Sequence, residues 1–557
     1  MLVPGPGRTG LLHRLSDEGD LTGQPELAAD LPAAVAAHEL TAADPVRWVL
    51  PAAQATYPAL LSAGVRLARC HDVALTAALI AARDSPDEHP LAGGQAPATQ
   101  AASIPPGEQP LELPFDEPGP PEPDSLAAAQ LLAGQYAGQL TAIAADPEPA
   151  RFGLLAAAES AGGLIAAEIT AAGLPWHADV HDRLLTELLG PRPGPAAGGA
   201  LRPARLAELA AAITRALGSV RPVNPDSPAQ LLKALAASGI RVRSTRSAEL
   251  RAVDHPVIPL LLRYKELARL HSANGWTWLD TWARDGRFRP EYVVGGVVSG
   301  RWASRGGGAL QIPRLLRQAV VADPGWTLVV ADAAQLEPRV LAALAGDRAF
   351  ATTAGTVDLY DAVGAAIGAD RSTAKVALLS AMYGGTGGDG GRSLALLRRR
   401  FPQASAFVEA AARAGEEGRV VRSVLGRTCP APSAHWRAVT SDPGDPVQQR
   451  DPGAGAAARA RGRFTRNFVV QASAADWALV LLALLRTRLA QLSRSEPAQL
   501  VFFQHDEVIV HCPQALAAEV VAAIDAAAAE ASRAVFGQTA VSFPMTTAVV
   551  DCYADAK

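Results

Sequence analysis

The sequence predicts a multidomain α/β protein, and three features support this prediction. The chain has 557 residues, which is enough for several domains. Several short apolar runs have the β-branched and aromatic composition of buried strands, at 328–330, 500–503 and 508–510. Long Ala- and Leu-rich segments have the composition of helices, at 126–190, 200–285 and 338–418. We therefore expect a core that contains strands, with helical domains around it.

Bulk composition excludes some classes of protein. The formal net charge is −4 and the sequence pI is about 6.3, so any contact with nucleic acid depends on local basic patches. The four cysteines form no C-x-x-C pair, which favours a reducing cytoplasm. No apolar run has transmembrane length, and the N-terminus has no basic-then-apolar signal pattern. We therefore expect a cytoplasmic protein without a membrane partner.

Changes in composition along the chain predict its organisation. Residues 84–125 are rich in Pro, Gly, Asp and Glu, a composition that cannot bury a core and predicts an exposed linker or loop. A Pro- and Gly-rich stretch at 190–195 separates an N-terminal domain, residues 1–190, from a helical region at 200–285. Further along, composition predicts a loop, a long helix and two strand-like segments, at 441–455, 463–492, 500–512 and 541–551.

Two groups of acids stand beside strand-like runs. Asp332 follows the run at 328–330, and Asp506 and Glu507 lie between the runs at 500–503 and 508–510. A carboxylate at the end of a buried strand is costly unless it is paired or holds a metal. Two such acids can clamp two divalent cations for phosphoryl or nucleotidyl transfer. The alternative is a set of paired or capped structural acids. Because neighbouring strand residues face opposite sides, Asp506 and Glu507 need not reach the same ion.

A helical segment between these acids presents a cationic face. Arg371, Lys375, Leu379 and Tyr383 recur every four residues, so they share one side of a helix. Two cations, an apolar group and an aromatic ring are what a nucleoside triphosphate requires of a binding surface. The alternative is an ordinary amphipathic helix with a basic edge.

Together, in order, these segments resemble the motifs of the family A DNA polymerases, the group of bacterial DNA polymerase I. The matching residues are Asp332, Gln335, Leu336, Glu337 and Arg339, then Arg371, Lys375, Tyr383 and Gly384, then His505, Asp506 and Glu507. The resemblance covers about 150–557. It implies a right-hand polymerase, with an antiparallel palm sheet and helical fingers and thumb, behind a small exonuclease-like α/β domain. The implied boundaries are thumb 200–285, palm 286–345, fingers 346–419 and palm again 420–557.

The resemblance also implies roles for individual residues. Asp332, Asp506 and the backbone carbonyl of Ala333 would hold two Mg²⁺ ions, with Mn²⁺ as an acceptable substitute, and Glu507 would assist catalysis. Lys375 would also act as general acid toward pyrophosphate. The incoming dNTP would meet Arg371, Lys375, Leu379, Tyr383, Glu337, Gln335 and Tyr360. Primer-template DNA would meet Arg301, Gln311, Arg463, Asn467, Gln471 and His505.

Glu337 and two departures from the family bear on substrate choice. Glu337 would be a steric gate that leaves no room for a 2′-hydroxyl, although it also reads as an acid at a helix N-terminus, and both roles are compatible. Leu379 stands where the family has an aromatic residue, and Tyr360 stands where it often has a phosphate-contacting His. These departures predict altered sugar selection and a changed triphosphate contact.

The N-terminal domain lacks the acids that a 3′–5′ exonuclease of this family requires. No Asp-x-Glu lies on an early strand, and Asp17, Glu18 and Asp20 fall in a polar turn. We therefore expect a monomeric, nucleoid-associated DNA polymerase without proofreading, used in repair or gap filling. The alternatives are a catalytically weak protein that binds primer-template and a phosphohydrolase. An RNA polymerase variant also fits the fold, but Glu337 argues for deoxynucleotides.

Overall fold

The computed structural model describes residues 1–88, 124–194, 202–305, 308, 312–383, 390–440, 452–493 and 496–556. Its α-helices are α1 (Leu31–Thr41), α2 (Ala53–Ser62), α3 (Val73–Asp84), α4 (Asp124–Ala144), α5 (Pro149–Ala172), α6 (Ala178–Leu189), α7 (Ala204–Ala216), α8 (Pro228–Ala237), α9 (Ser247–Arg251), α10 (Val257–Asn274), α11 (Trp276–Trp282), α12 (Leu336–Leu344), α13 (Arg348–Thr353), α14 (Leu359–Ile367), α15 (Arg371–Tyr383), α16 (Gly390–Arg400), α17 (Pro402–Glu416), α18 (Ala434–Thr440), α19 (Pro452–Leu492) and α20 (Ala517–Phe536). Its strands are β1 (Leu2–Pro4), β2 (Gly10–Leu15), β3 (Leu21–Ala28), β4 (Arg47–Leu50), β5 (Arg69–Asp72), β6 (Leu174–Pro175), β7 (Ala283–Arg284), β8 (Arg287–Phe288), β9 (Glu291–Val293), β10 (Ala303–Arg305), β11 (Trp326–Ala333), β12 (Gln499–Gln504), β13 (Glu507–Pro513) and β14 (Met545–Val550).

The predicted acidic strands meet in one four-stranded sheet, in the order β12-β13-β11-β14. β11 pairs antiparallel with β13, and β12 and β13 form a hairpin. The hairpin turns through His505 and Asp506, and His505 has a φ of 59°, which lies in the left-handed region. The N–H of Ala333 donates to the carbonyl of Asp506 over 3.0 Å. The sheet therefore joins the end of β11 to the turn that carries Asp506.

Long helices cover this sheet. α20 packs on β11 and β13, and the 41-residue α19 packs against α5, α17 and α20. We expected α19 to begin at 463 after a loop at 441–455, but it begins at Pro452. Pro is tolerated in the first turn of a helix, and the Ala-rich segment that follows it favours helix. The rest of the predicted loop, 441–451, lies outside the described residues.

The N-terminal residues share a core with α5. They form an antiparallel sheet β1-β2-β3 and a parallel pair β4-β5. One apolar cluster joins Trp48, Leu50 and Tyr57 of this region to Leu164 and Ala167 of α5. Burial of side chains of this size contributes about 1.5–3 kcal/mol each, so α5 is part of the N-terminal core.

The chain divides into two compact units at boundaries that differ from the predicted ones. The first unit comprises residues 1–172, 291–305 and 325–549, and the second comprises 173–290, 306–324 and 550–557. We expected a boundary at 190, but α6 belongs to the second unit. Its His181 packs edge-on against Trp176, which also contacts Trp278 and Phe288. This aromatic cluster is internal to the second unit.

Two helices of the first unit are long and apolar enough to cross a membrane by length and composition alone. The first is Pro149–Ala172, and 72% of its most apolar 18-residue segment is buried inside the protein. The second lies within α19, and the corresponding buried share is 83%. We expected no apolar segment of transmembrane length, and for these two helices that expectation is wrong. Burial of this extent is typical of the core helices of a folded domain.

Candidate active site

Three acidic residues lie at the same end of the sheet: Asp332 on β11, Glu507 on β13 and Asp506 in the turn before β13. Asp332 stands directly opposite Glu507 in the strand register. Asp332 and Asp506 are partly exposed, whereas Glu507 is buried, with 5% of its surface accessible. Directly opposed residues of an antiparallel pair have Cβ atoms about 4.5–5.5 Å apart, and like charges in such a pair are destabilising. A cation at this end of the sheet would offset that repulsion.

The chemistry of these groups fits a hard divalent cation. Carboxylate and carbonyl oxygens are the ligands that Mg²⁺ prefers, and Mg²⁺ usually keeps only one or two protein carboxylates beside water and phosphate. Among the described residues, no group of three or more His, Cys, Asp or Glu side chains could hold a metal ion. Asp332, Asp506 and the carbonyl of Ala333 therefore fit a site completed by substrate and water.

The predicted cationic face is present on α15. Arg371 and Lys375 are exposed, and Leu379 and Tyr383 are half-buried on the same side. The opposite side packs inward through Ala374, Ala377, Leu378 and Met382. The guanidinium of Arg371 lies 5.6 Å from the ring centre of Tyr360, and the ammonium of Lys375 lies 5.8 Å from it. The ring of Tyr360 thus lies within cation–π distance of both cations.

The N-terminus of α15 is joined to the segment after Asp332 through Asp358 and Gln335. Arg371 donates to Asp358 over 3.0 Å, and the amide of Gln335 donates to the same carboxylate over 3.2 Å. Burial alone would raise the pKa of Asp358, but backbone N–H groups and Arg371 outweigh burial and lower it. The oxygen of Gln335 accepts from the N–H of Leu359. Gln335 therefore has protein partners at both ends of its amide.

The C-terminus of α15 is joined to the same segment through Glu337. Arg301 donates to one carboxylate oxygen of Glu337, and the hydroxyl of Tyr383 donates to the other. Burial, and then the hydrogen bond to Glu337, raise the pKa of Tyr383, and the nearby Gln471 opposes this shift. Burial lowers the pKa of His505, and the nearby charge of Arg301 adds to this shift. Four other predicted site residues from distant parts of the chain therefore lie around Glu337: Arg301, Tyr383, Gln471 and His505.

The predicted DNA-contacting residues of α19 share one face of the helix. Arg463 is exposed, and Asn467 and Gln471 are half-buried at successive four-residue intervals. The side-chain oxygen of Asn467 is buried without a hydrogen-bond partner among the described residues. Gln311 and Gly384 lie outside those residues, so their predicted roles stay predictions.

Comparison with known proteins identifies the family. The sequence profile of DNA polymerase family A matches residues 201–549, which is more than half of the chain. The chain belongs to DNA polymerase family A. The thermostable DNA polymerase I of Thermus filiformis is 29% identical over 317 residues, which are 50% of this chain and 34% of that protein. DNA polymerase I of Chloroflexus aurantiacus is 27% identical over 321 residues, which are 52% of this chain and 32% of that protein. The chain thus matches about a third of the length of these relatives.

A solved structure supports the predicted polymerase fold. The POL domain of Pol1 from M. smegmatis, in complex with DNA primer-template and dNTP, is similar with a TM-score of 0.60. The match covers 77% of this chain and 74% of that one, at 19% sequence identity. The predicted family and the right-hand polymerase fold are therefore confirmed.

One residue of the first family A motif has a structural role that we did not predict. Arg339 is fully buried and donates to the carbonyls of Ala334, Ala354 and Val357. Burial lowers the pKa of this guanidinium, and the carbonyl bonds satisfy its donors. Arg339 ties α12 to the chain that leads into α14. The sequence signal for this role was an Arg residue among the apolar residues of α12.

The acids of the N-terminal domain have structural positions. Asp17, Glu18 and Asp20 lie in or beside the turn between β2 and β3, as predicted. Asp72 is buried at the N-terminus of α3, where it accepts from the N–H groups of Leu75 and Ala53 over 2.9 and 2.7 Å. Because its carboxylate caps a helix, Asp72 stabilises the fold of this region.

Proposed function

We propose that this chain is a template-directed DNA polymerase that adds deoxynucleotides to a primer 3′ end. The observation that carries the proposal is that α15 is joined at both ends to the segment that begins at Asp332. Gln335 and Asp358 hold its first residue, and Glu337 holds its last. The cationic face of α15 is therefore fixed to the chain that supplies the metal-binding acid. Membership of family A and the fold likeness to a polymerase bound to primer-template and dNTP support the same proposal.

The proposed chemistry assigns a role to each group. Mg²⁺ ions held by Asp332, Asp506 and the Ala333 carbonyl would supply charge that acidifies the primer hydroxyl and offsets the triphosphate. Arg371 offers a bidentate fork to phosphate oxygens and Lys375 a point charge. Lys375 gives a proton to the pyrophosphate leaving group.

DNA and sugar recognition follow from the groups around Glu337. Arg463, Asn467 and Gln471 bind the DNA backbone and minor groove, where the acceptors are common to every base pair, so they test geometry without reading sequence. Arg301 and His505 reach the primer end. Glu337 excludes the 2′-hydroxyl of a ribonucleotide, because a polar site built around one sugar rejects the other.

We also propose that the protein lacks proofreading and acts as a monomer in the cytoplasm, near the nucleoid, in repair or gap filling. The N-terminal strands support the proposed lack of proofreading. β1 and β2 carry no acid, and β3 carries only Glu26. Two-metal hydrolysis requires several carboxylates at one place. The test is a 3′-labelled mismatched primer with Mg²⁺ and no dNTP, which we expect to stay intact. Magnesium-dependent shortening that Asp506→Asn retains and an N-terminal acid-to-amide change abolishes would contradict the proposal.

Primer extension on a recessed DNA template with Mg²⁺ and dNTPs tests the main function. The unmodified protein should extend the primer, Asp506→Asn should not, and the control Asp525→Asn, at an exposed position on α20, should behave as the unmodified protein. Binding of primer-template without extension by any of the three would favour the catalytically weak binding protein instead.

A further inference from the structure

A buried ion cluster lies in the first unit, outside every role assigned above. The guanidinium of Arg427 donates to Glu159 over 3.0 Å and to Asp476 over 3.1 Å. The accessible fractions of the three side chains are 7%, 3% and 0%. Arg427 lies between α17 and α18, Glu159 on α5 and Asp476 on α19. Three distant segments therefore meet at one charged point.

Stability alone is a weak reason for such a cluster. Burial alone would lower the pKa of Arg427, but the charges of Glu159 and Asp476 outweigh burial and raise it. Burial raises the pKa of Asp476 against the opposing charge of Arg427. Desolvation of this kind is expensive, and replacing a buried ion cluster with apolar groups often leaves a protein equally or more stable. A role in fixing the position of a neighbour accounts better for the cluster.

The neighbour is the turn at 295–301. A Cβ added at Gly300 would overlap the guanidinium of Arg427, and one added at Gly295 would lie 2.5 Å from a carboxylate oxygen of Glu159. Both glycines have positive φ, of 82° and 61°, so the backbone itself rests on the cluster. The turn is closed by the N–H of Gly300, which donates to Val297 over 2.7 Å.

The turn ends in Arg301, the residue that donates to Glu337. We propose that Arg427 is a positioning residue for Arg301, and that through Arg301 the cluster fixes Glu337 and so sets sugar selection. Glu337 is held on one side by Arg301 and on the other by Tyr383. If the turn moves, Glu337 keeps only the bond to Tyr383 and its carboxylate gains freedom. A gate that moves rejects a 2′-hydroxyl less strictly. This inference rests on the proposed polymerase function.

The test uses Arg427→Lys, which keeps a positive charge but loses the planar guanidinium that donates to both Glu159 and Asp476. We expect the ratio of kcat/KM for dCTP to that for rCTP to fall at least about tenfold, a readout that general destabilisation would not move. The matched control is Arg422→Lys, because Arg422 pairs with Asp146 over 2.7 Å and is not among the nearest neighbours of Gly295 or Gly300. The control should keep the ratio within about twofold.

Non-additivity decides whether Arg427 acts through Arg301. In an Arg301→Ala background, Arg427→Lys should change the ratio no further, because the residue it positions is gone. Multiplied effects would show that Arg427 acts independently of Arg301 and would overturn the proposal. A lower melting temperature with an unchanged ratio would show that Arg427 has only a structural role. If Arg427→Lys does not fold, Gly300→Ala disturbs the same contact from the side of the turn while Arg427, Glu159 and Asp476 are all retained, and it should lower the ratio in the same way.

Hydrogen exchange separates this inference from the proposed function. The amide of Gly300 should exchange faster in Arg427→Lys than in Arg422→Lys, whether or not either variant extends a primer. Absence of extension by the unmodified protein would end the polymerase proposal, whereas equal exchange at Gly300 in the two variants would end the positioning proposal.

Discussion

The hydroxyl of Tyr383, at the end of α15, donates a hydrogen bond to the carboxylate of Glu337, in the first turn of α12. Because Glu337 also accepts from Arg301, both of its carboxylate oxygens have a hydrogen-bond partner. If Glu337 contacts the nucleotide sugar as we propose, that sugar must compete with Tyr383. On this proposal, nucleotide binding exchanges the hydrogen bond that joins the end of α15 to Glu337.

Tyr383→Phe tests this exchange. A hydrogen bond to a charged group contributes about 1.5–3 kcal/mol, and the variant no longer has to break it before the sugar enters. We expect the KM for dNTP to stay equal or fall while kcat changes little. Steady-state primer extension measures both constants, with Tyr57→Phe, outside the site, as control. A KM that rises about tenfold would mean that the hydroxyl contacts the nucleotide itself.

Glu337→Ala should open the sugar site. Without the carboxylate, the proposed clash with a 2′-hydroxyl is lost, so we expect the preference for dCTP over rCTP to fall by about a hundredfold or more. Incorporation of single ribonucleotides measures the ratio. Asp361→Asn, an exposed acid near Arg371, is the control and should retain discrimination. Unchanged selectivity in Glu337→Ala would assign sugar selection to another residue.

Tyr360 should act through its ring. Arg371 and Lys375 both lie within 6 Å of the ring centre, a geometry that contributes about 0.5–1 kcal/mol at an exposed site. Tyr360→Phe should leave dNTP binding unchanged, whereas Tyr360→Leu should weaken it by about two- to fivefold. Fluorescence titration with dNTP measures the affinity. Equal loss in both variants would show that the hydroxyl contacts the phosphate.

The pair Glu168–Arg486 should make stability depend on pH. Burial alone would raise the pKa of Glu168, but Arg486, Arg66 and Tyr57 outweigh burial and lower it from 4.5 to about 2. The stabilisation is therefore complete above pH 4.5 and is lost as the pH falls toward 2. At pH 7, Glu168→Gln leaves Arg486 buried without its counter-charge and should cost about 3–5 kcal/mol.

Urea unfolding of both proteins at pH 7 and at pH 3.5 measures this difference, which should narrow at the lower pH. Arg66→Gln serves as control, because Arg66 is 45% exposed and its pair with Glu168 should contribute only about 0–1 kcal/mol. A difference between the unmodified protein and Glu168→Gln that is the same at both pH values would show that Glu168 is not charged in the folded state.

The sequence predicted those parts of the site that depend on local pattern. An acid beside an apolar run marks a strand end, which is why Asp332 was placed correctly at the end of β11 and Asp506 beside β13. A four-residue interval marks a helix face, which is why α15 presents Arg371 and Lys375 together. Both patterns arise from backbone geometry within a few residues.

Long-range pairing escaped prediction. Arg427 and Glu159 are 268 positions apart, and composition around Arg427 resembles any polar loop. The left-handed conformation of Gln335, with a φ of 56°, was equally hidden, because Gln carries no turn signal. The division of the compact units at 172 depends on α6, whose aromatic partners are distant in sequence. Each of these features depends on tertiary contacts that no local pattern encodes.

The acids of residues 146–168 give the N-terminal region a purpose separate from nuclease chemistry. Asp146, Glu159 and Glu168 are the partners of Arg422, Arg427 and Arg486, which lie in the later half of the chain. These carboxylates are counter-ions for the later half of the chain whether or not the N-terminal region hydrolyses DNA. Removal of residues 1–172 would take a carboxylate partner from each of three guanidinium groups at once. In this polymerase, the shortest independent fragment must therefore begin before residue 146.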